Sequence, residues 1–263
     1  MAFTISNDEK SKYISAKHAL GQVEDGMTIG LGTGSTADWF IVQLGELIRK
    51  KSLNMLTTAT STRTKILAES LGIKVVPLND LTNIDITVDG ADEFTEDLHL
   101  IKGGGGALLQ EKIVASASSK MVVIADESKR VTQLGKFPLP IEVVPFGVES
   151  IEKNLSELFS LLGFKEPRGI LRKKSGKKFL TDEGNYILDY NLNRIDKVDD
   201  MAKHINNIAG VVEHGIFINL CGEVFVGKSD GKVEVRSLTS KVTFSYDINL
   251  DEIIYFKSLI KGI

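Results

Sequence analysis

Apolar positions along this chain alternate between two patterns. Short apolar or β-branched runs lie at Met27 to Leu31, Asn54 to Thr60, Ile73 to Val76, Ile84 to Val88 and Met121 to Ala125. Between them, apolar residues recur every third or fourth position, as in Ala37, Phe40, Ile41, Leu44, Leu47 and Ile48. The runs predict buried strands, and the spaced stretches predict helices with one face on a core. Ser6 with Glu9 three residues on is a capping-box pattern that predicts a helix start, and Gly72 stops a helix that begins near Thr62. A further helix is expected over residues 106 to 118.

Strands and helices in alternation imply a mostly parallel sheet covered on both faces. In such sheets ligands bind outside the carboxyl ends of the strands. Three of the predicted strand ends carry polar clusters: GTGST at 32 to 36, DGAD at 89 to 92 and DESK at 126 to 129. All three are expected to line one crevice.

The pattern changes at Phe137-Pro138-Leu139-Pro140. From Ile141 to Asn207 the order reads strand, helix, three short strands and helix, which suits a small α+β unit. From Gly210 the chain returns to strands, with Ser229-Asp230-Gly231 as a hairpin turn. The expected fold is α/β, a Rossmann-like sheet with helices on both faces plus a smaller α+β domain. The large domain is expected over 1–136 and 208–263, and the small one over 137–207. Within 236–263, Val242, Phe244 and Tyr246 alternate like an edge strand, and Ile253, Ile254, Phe256, Leu259 and Ile260 fit a short amphipathic helix. This tail could cover a subunit interface, pack on its own domain or be loosely ordered.

Composition narrows the function classes. The 263 residues are 42% hydrophobic and 25% charged with a net charge of −3, which gives no electrostatic footprint for nucleic acid or an anionic membrane. The single cysteine, Cys221, excludes an intramolecular disulfide framework and suits a reducing cytosol. The N-terminal stretch has early acids and no apolar core of a secretory signal, so a cytoplasmic protein is expected. His18, His99, His204 and His214 are scattered without ligand spacing, and the basic run Arg168 to Lys178 reads as a solvated surface.

The densest chemistry lies between Asp89 and Lys112, DGADEFTEDLHLIKGGGGALLQEK. Asp89 and Asp92 follow a strand, Lys102 precedes four consecutive glycines (Gly103, Gly104, Gly105, Gly106), and the helical pattern Ala107, Leu108, Leu109, Ile113, Val114 carries Glu111. Four glycines would destabilise a regular element by roughly 1 kcal/mol each relative to Ala, so a backbone that must approach an anion explains them better. The turn Gly32-Thr33-Gly34-Ser35-Thr36 before a helix offers backbone N–H groups and hydroxyls to a phosphate or sugar. It also fits a dinucleotide turn, but Asn54 to Thr60 ends in hydroxyls where the acid for a ribose would stand. Ser61, Thr62 and Arg63 border the same pocket or simply cap a helix. The D-x-x-D spacing also suits a divalent cation, a choice the nearby Lys102 disfavours.

Taken together, GLGTGSTA at 30 to 37, DGADE at 89 to 93, KGGGGALLQEK at 102 to 112, ADESK at 125 to 129, PLPIEV at 138 to 143, TDEGNYILD at 181 to 189 and AGVVEHG at 209 to 215 resemble the type A ribose-5-phosphate isomerases. The resemblance runs over about residues 10 to 227. It implies an aldose–ketose isomerase acting on ribose 5-phosphate and ribulose 5-phosphate in the pentose phosphate pathway, without metal or organic cofactor. It also implies a ferredoxin-like small domain and a homodimer or homotetramer.

By that resemblance Glu111 is the proton acceptor and Lys129 contacts substrate, with Lys12 a further candidate from the first helix. Lys102 is the cation for an enediolate oxygen. Asp89 and Asp92 hold sugar hydroxyls and help open the furanose ring, while Gly90, Ala91 and Gly103 to Gly105 border the sugar. The family's chains are expected to end near residue 235, so the last 28 or so residues look like an addition, and Ala209-Gly210 stands where a Pro-Gly is usual.

Two rival classes fit less. A sugar-phosphate-sensing regulator would carry a DNA-binding module before the sheet, and only 27 residues precede the first strand. A coenzyme A transferase or nucleotide-binding enzyme would leave the set Asp89, Asp92, Lys102 and Glu111 unexplained.

Overall fold

The structure is a computed structural model that describes residues 4–262. The helices in chain order are α1 Asn7–Leu20, α2 Ser35–Lys51, α3 Thr62–Ser70, α4 Leu108–Ser116, α5 Val148–Leu161, α6 Val198–Asn206 and α7 Leu250–Lys261. The strands are β1 Thr28–Leu31, β2 Leu56–Ala59, β3 Ile86–Asp89, β4 Glu93–Phe94, β5 Leu100–Ile101, β6 Met121–Asp126, β7 Leu139–Val143, β8 Gly169–Leu171, β9 Lys173–Lys174, β10 Lys177–Lys178, β11 Tyr186–Tyr190, β12 Val211–His214, β13 Ile216–Phe217, β14 Cys221–Gly227, β15 Lys232–Arg236 and β16 Lys241–Ser245. Among the described residues they form two compact units, one of 4–91, 110–130 and 219–262, the other of 92–109 and 131–218.

The first unit holds a seven-stranded sheet of order β16-β15-β14-β6-β3-β1-β2. Strands β14, β6, β3, β1 and β2 run parallel, and the β15–β16 pair is antiparallel. The chain passes from β1 outward to β2 and then to β3 on the other side of β1, so strand order reverses there, the place where such sheets bind ligands.

Alternation along β1 explains the two covered faces. Ile29 and Leu31, level with Ile86 and Val88, join the core that includes residues of α1, α2 and α7. Gly30 points the other way, where a Cβ would lie 1.9 Å from the Thr87 hydroxyl and 2.8 Å from Val114 of α4. Lacking a side chain there, β1 lets α4 press close to the sheet.

The predicted capping box at Ser6 and Glu9 starts α1. The expected strand from Ile73 to Val76 reduces to a single bridge between Thr57 and Val75, since Pro77 has no N–H with which to extend the pairing. The tail is ordered on its own unit. Lys241–Ser245 is the edge strand, and α7 buries Ile253 and Phe256 in the core. Polar links tie the tail to α1, among them Tyr13 Oη donating to Glu252 (2.5 Å), Lys257 pairing with Glu9 (2.6 Å), and Tyr246 Oη meeting His18 Nδ1 (2.5 Å).

The second unit contains an antiparallel sheet of order β12-β7-β11-β8, with the chain order β-α-β-β-α-β counting β7, α5, β8, β11, α6 and β12. That order is the ferredoxin-like arrangement. Leu139, Ile141, Val143, Leu188 and Tyr190 bury one face against α5 and α6. The alternate residues Pro140 and Asp189, which pair across the strands, lie on the helix-free face.

This unit also takes in 92–109, 131–136 and 208–218, segments the sequence reading grouped with the large domain. The reason is strand pairing. Val211–His214 completes the ferredoxin-like sheet, and Ile216–Phe217 pairs with Leu100–Ile101, which pairs with Glu93–Phe94. Glu93–Phe94 and Leu100–Ile101, strands of two residues, leave no readable period in the sequence, so they were not expected.

Candidate active site

In the first unit the GTGST loop follows β1 and opens α2. Gly34 is the N-cap of α2 at φ +125°, and no side chain caps that helix, so its first N–H groups are available to an anion. Gly32 is required for a different reason. A Cβ there would stand 2.1 Å from Asp89 Oδ1 and 2.5 Å from the Asp89 Cα.

Fully buried at the end of β3, Asp89 accepts from the N–H of Thr33 (3.0 Å) and of Gly90 (2.7 Å) through Oδ1. On the other side of the loop, Thr33 Oγ1 lies within hydrogen-bond distance of Thr60 (2.7 Å), Ser61 (2.8 Å) and Thr64 (3.0 Å). Thr64 Oγ1 also donates to the Gly32 carbonyl at 2.9 Å. Ser61 is in addition the N-cap of α3, accepting from the Thr64 N–H. Arg63 forks onto the buried Asp38 of α2 (2.9 and 2.5 Å), fastening α3 to the helix that follows the loop.

Lys12 reaches this loop. Its ammonium donates to Ser35 Oγ at 3.0 Å and pairs with Asp8 at 2.8 Å. Thr36 is buried in the first turn of α2, and a Cβ on Gly90 would just touch it, at 4.0 Å. Lys129 ends the short 3-10 turn after β6, partly exposed, at the carboxyl end of the strand beside β3. The carboxyl ends of β1, β3 and β6 thus gather the loop, Asp89 and Lys129 on one edge of this sheet. Glu111 is buried in the first turn of α4. The packing of Val114, one turn further along, on Gly30 sets that helix against the same sheet.

The second unit carries Asp92, Lys102 and the glycines. Asp92 Oδ2 accepts from the Gly104 N–H at 2.7 Å, and a Cβ on Gly104 would collide with that carboxylate at 2.6 Å. Lys102 is 2% exposed, with its ammonium 5.5 Å from the centre of the Phe217 ring. Its N–H donates to the Gly215 carbonyl at 2.9 Å. Gly103 and Gly106 take φ of +102° and +85°, and the N–H of Gly106 closes a turn onto the Gly103 carbonyl at 2.9 Å, leaving Gly104 and Gly105 exposed at its tip.

One residue escaped the sequence reading. The basic run from Arg168 to Lys178 was expected to be a solvated surface, and Lys173, Lys174, Lys177 and Lys178 are exposed. Arg172 departs from it. The guanidinium forks onto Asp189 through Nε (2.8 Å) and Nη2 (2.5 Å) and donates from Nη1 to the carbonyls of Gly103 (2.7 Å) and Gly104 (3.2 Å). No local signal marks it, since its partner Asp189 lies 17 residues on.

Nearby in the same unit, Glu142 of β7 is fully buried. Oε1 accepts from Thr181 (2.8 Å) and Asn185 (3.0 Å), and Oε2 has no hydrogen-bond partner among the described residues. Burial raises its pKa above the ordinary carboxylate value, more than these two hydrogen bonds lower it. Among the described residues no three His, Cys, Asp or Glu side chains converge as a metal site.

The model of the family "Ribose 5-phosphate isomerase A (phosphoriboisomerase A)" matches residues 56–231. The ribose-5-phosphate isomerase A of Ruegeria pomeroyi is 51% identical over 238 residues, 90% of this chain and 91% of that protein. Among solved structures, the ribose 5-phosphate isomerase A of Methanocaldococcus jannaschii is 41% identical with a TM-score of 0.78, over 92% of this chain and 100% of that one. A D-ribose-5-phosphate isomerase in complex with phospho-erythronic acid is 36% identical with a TM-score of 0.79, over the same shares. The Ruegeria protein has nearly the length of this chain, and the family model ends at residue 231, before the tail. The archaeal structure is shorter.

Proposed function

This chain belongs to the ribose 5-phosphate isomerase A family, and on that premise we propose how its residues divide the reaction. The activity is the interconversion of ribose 5-phosphate and ribulose 5-phosphate, an aldose and a ketose, in the pentose phosphate pathway. Moving a proton between C2 and C1 through an enediolate needs one base serving both carbons and a donor for the oxygen that becomes negative.

In our reading Glu111 is that base, removing the C2 proton of the aldose and returning it to C1. Lys102 donates to the enediolate oxygen. Asp89 and Asp92 hold sugar hydroxyls and move the proton that opens the furanose ring, with Gly90, Ala91 and Gly103 to Gly105 bordering the sugar. The phosphate lies on Thr33 to Thr36 at the start of α2, with Lys12 and Lys129 as its cations. The observation that carries the phosphate assignment is the uncapped α2 terminus with Lys12 on Ser35. Burial of Glu111 and Lys102 supports their chemical roles, since electrostatic stabilisation is strongest out of water. We further propose that the protein works in the cytoplasm as a homodimer or homotetramer, which light scattering of the purified protein would distinguish from a monomer.

Solvent deuterium exchange into ribose 5-phosphate, followed by NMR, tests the base. Wild type is expected to label C2 of the aldose. Glu111→Gln is expected to lose turnover by about 10³-fold or more while binding the sugar phosphate within a few-fold of wild type, because a general base acts in the transition state. Exchange by Glu111→Gln at the wild-type rate would assign the proton transfer to another group. Lys129→Ala, by contrast, is expected to raise KM about tenfold with little change in kcat.

A further inference from the structure

We propose that Arg172, held by Asp189, is a positioning residue for the reaction: it fixes the orientation of the Gly103–Gly104 peptide and, through that peptide, of Asp92. The inference rests on the role given above to Asp92.

The contacts converge on a single peptide plane. Its carbonyl, Gly103 O, accepts from Arg172 Nη1 at 2.7 Å, and its N–H, on Gly104, donates to Asp92 Oδ2 at 2.7 Å. In a trans peptide the C=O and N–H point in opposite directions. A guanidinium on one side and a carboxylate on the other therefore hold the plane from both ends, each by a charge-assisted hydrogen bond.

The need for such a clamp follows from the sequence. Glycine flanks the plane on both sides, and Gly103 already sits at φ +102°, so no Cβ opposes rotation of the peptide. Rotation by half a turn would aim the Gly103 carbonyl at the Asp92 carboxylate, setting partial negative charge against full negative charge. Arg172 favours the other orientation and also draws the Gly104 carbonyl to its own side, at 3.2 Å. The negative ends of two successive peptide dipoles are thus turned to the guanidinium. For an enediolate whose charge develops beside this loop, that direction is the favourable one.

Arg172 is itself held firmly. Its side chain is 14% exposed, it forks onto Asp189 of the central strand β11, and its own N–H donates to Ile187 O at 2.8 Å. Phe179, whose ring lies 5.9 Å from the guanidinium carbon, fills the space where a Cβ on Gly106 would be 2.4 Å away. With Asp189 neutralising it, Arg172 contributes direction more than net charge. A lysine could not replace it, because an ammonium lacks the planar fork that serves Asp189 and the carbonyl together.

The test compares Arg172→Ala, Arg172→Lys, Asp92→Asn and the double variant Arg172→Ala/Asp92→Asn in the full chain. For Arg172→Ala, kcat is expected to fall roughly tenfold to a hundredfold, with KM and inhibition by inorganic phosphate within about threefold of wild type. Added guanidinium ion is expected to restore part of the lost kcat, and Arg172→Lys to remain impaired despite its charge. Because Arg172 acts through Asp92, the double variant is expected to be little worse than Asp92→Asn alone.

A folded Arg172→Ala with wild-type kcat would overturn the proposal. So would losses in kcat and phosphate inhibition of equal size that guanidinium does not restore, which mark a scaffold role only. Should Asp92→Asn itself keep wild-type kcat, the role of Asp92 fails first. Impairment by Asp92→Asn without impairment by Arg172→Ala overturns the positioning role alone.

Discussion

Two glycine-rich loops serve this protein, and they are held in opposite ways. The Gly32 to Thr36 loop is pinned by neutral hydroxyls and by a buried carboxylate of the neighbouring strand, Asp89, so its shape is part of the parallel sheet. The Gly103 to Gly106 loop hangs from charged side chains, Arg172 on one side and Asp92 on the other. The first loop uses glycine where backbone meets backbone. The second uses it where the chain must stay adjustable until charges orient it. A preformed loop suits a group that does not change in the reaction, and an oriented one suits atoms whose charge changes.

Substituting single glycines breaks this comparison in graded steps. Gly32→Ala is expected to do most harm. Its Cβ would meet the Asp89 backbone at 2.5 Å, so strand β3 must shift, with a stability loss of about 3 kcal/mol or more seen in urea denaturation and activity lost with it. Gly34→Ala meets no atom within 4 Å and suffers only from its φ of +125°, with a loss of about 1–3 kcal/mol and a raised KM. Gly104→Ala meets only the Asp92 carboxylate, which can swing aside. Its melting temperature is expected to stay within a few degrees of wild type while kcat falls about tenfold. If Gly104→Ala instead unfolds the protein and Gly32→Ala does not, the contrast between the loops is reversed.

The smallest expected effect concerns pH. Glu142 has its folded pKa raised above the ordinary 4.5, so its contribution to stability is present below that value and is lost as pH rises through the folded pKa. Glu142→Gln, neutral throughout, is therefore expected to gain stability relative to wild type as pH is raised from about 4 to 8. Urea midpoints at the two pH values measure the gap, and a gap that does not change with pH would show that this carboxyl does not titrate there.

Most residues of the proposed site were named from the chain alone. Asp89, Asp92, Lys102 and Glu111 stood out because charged residues and consecutive glycines between apolar runs make poor core, and Lys12 was reached by its spacing from the GTGST block. The structure sets Lys12 on Ser35 and Asp89 under Thr33. Arg172 reads as surface because seven of its neighbours within six residues are basic or glycine, and nothing local distinguishes it. Only Asp189, 17 residues on, gives it a partner.

The sequence by itself determined the alternation of strand and helix, the parallel sheet and the chemistry at its strand ends. Those follow from the period of apolar residues and from local turn and cap chemistry, which act within a few positions. Tertiary structure decided the two-residue strands of the second unit, the clamping of α1 by the tail through Glu252, Tyr246 and Lys257, and the partial burial of Arg172. Each of these depends on a partner distant along the chain, so its energy exists only once the chain has closed on itself.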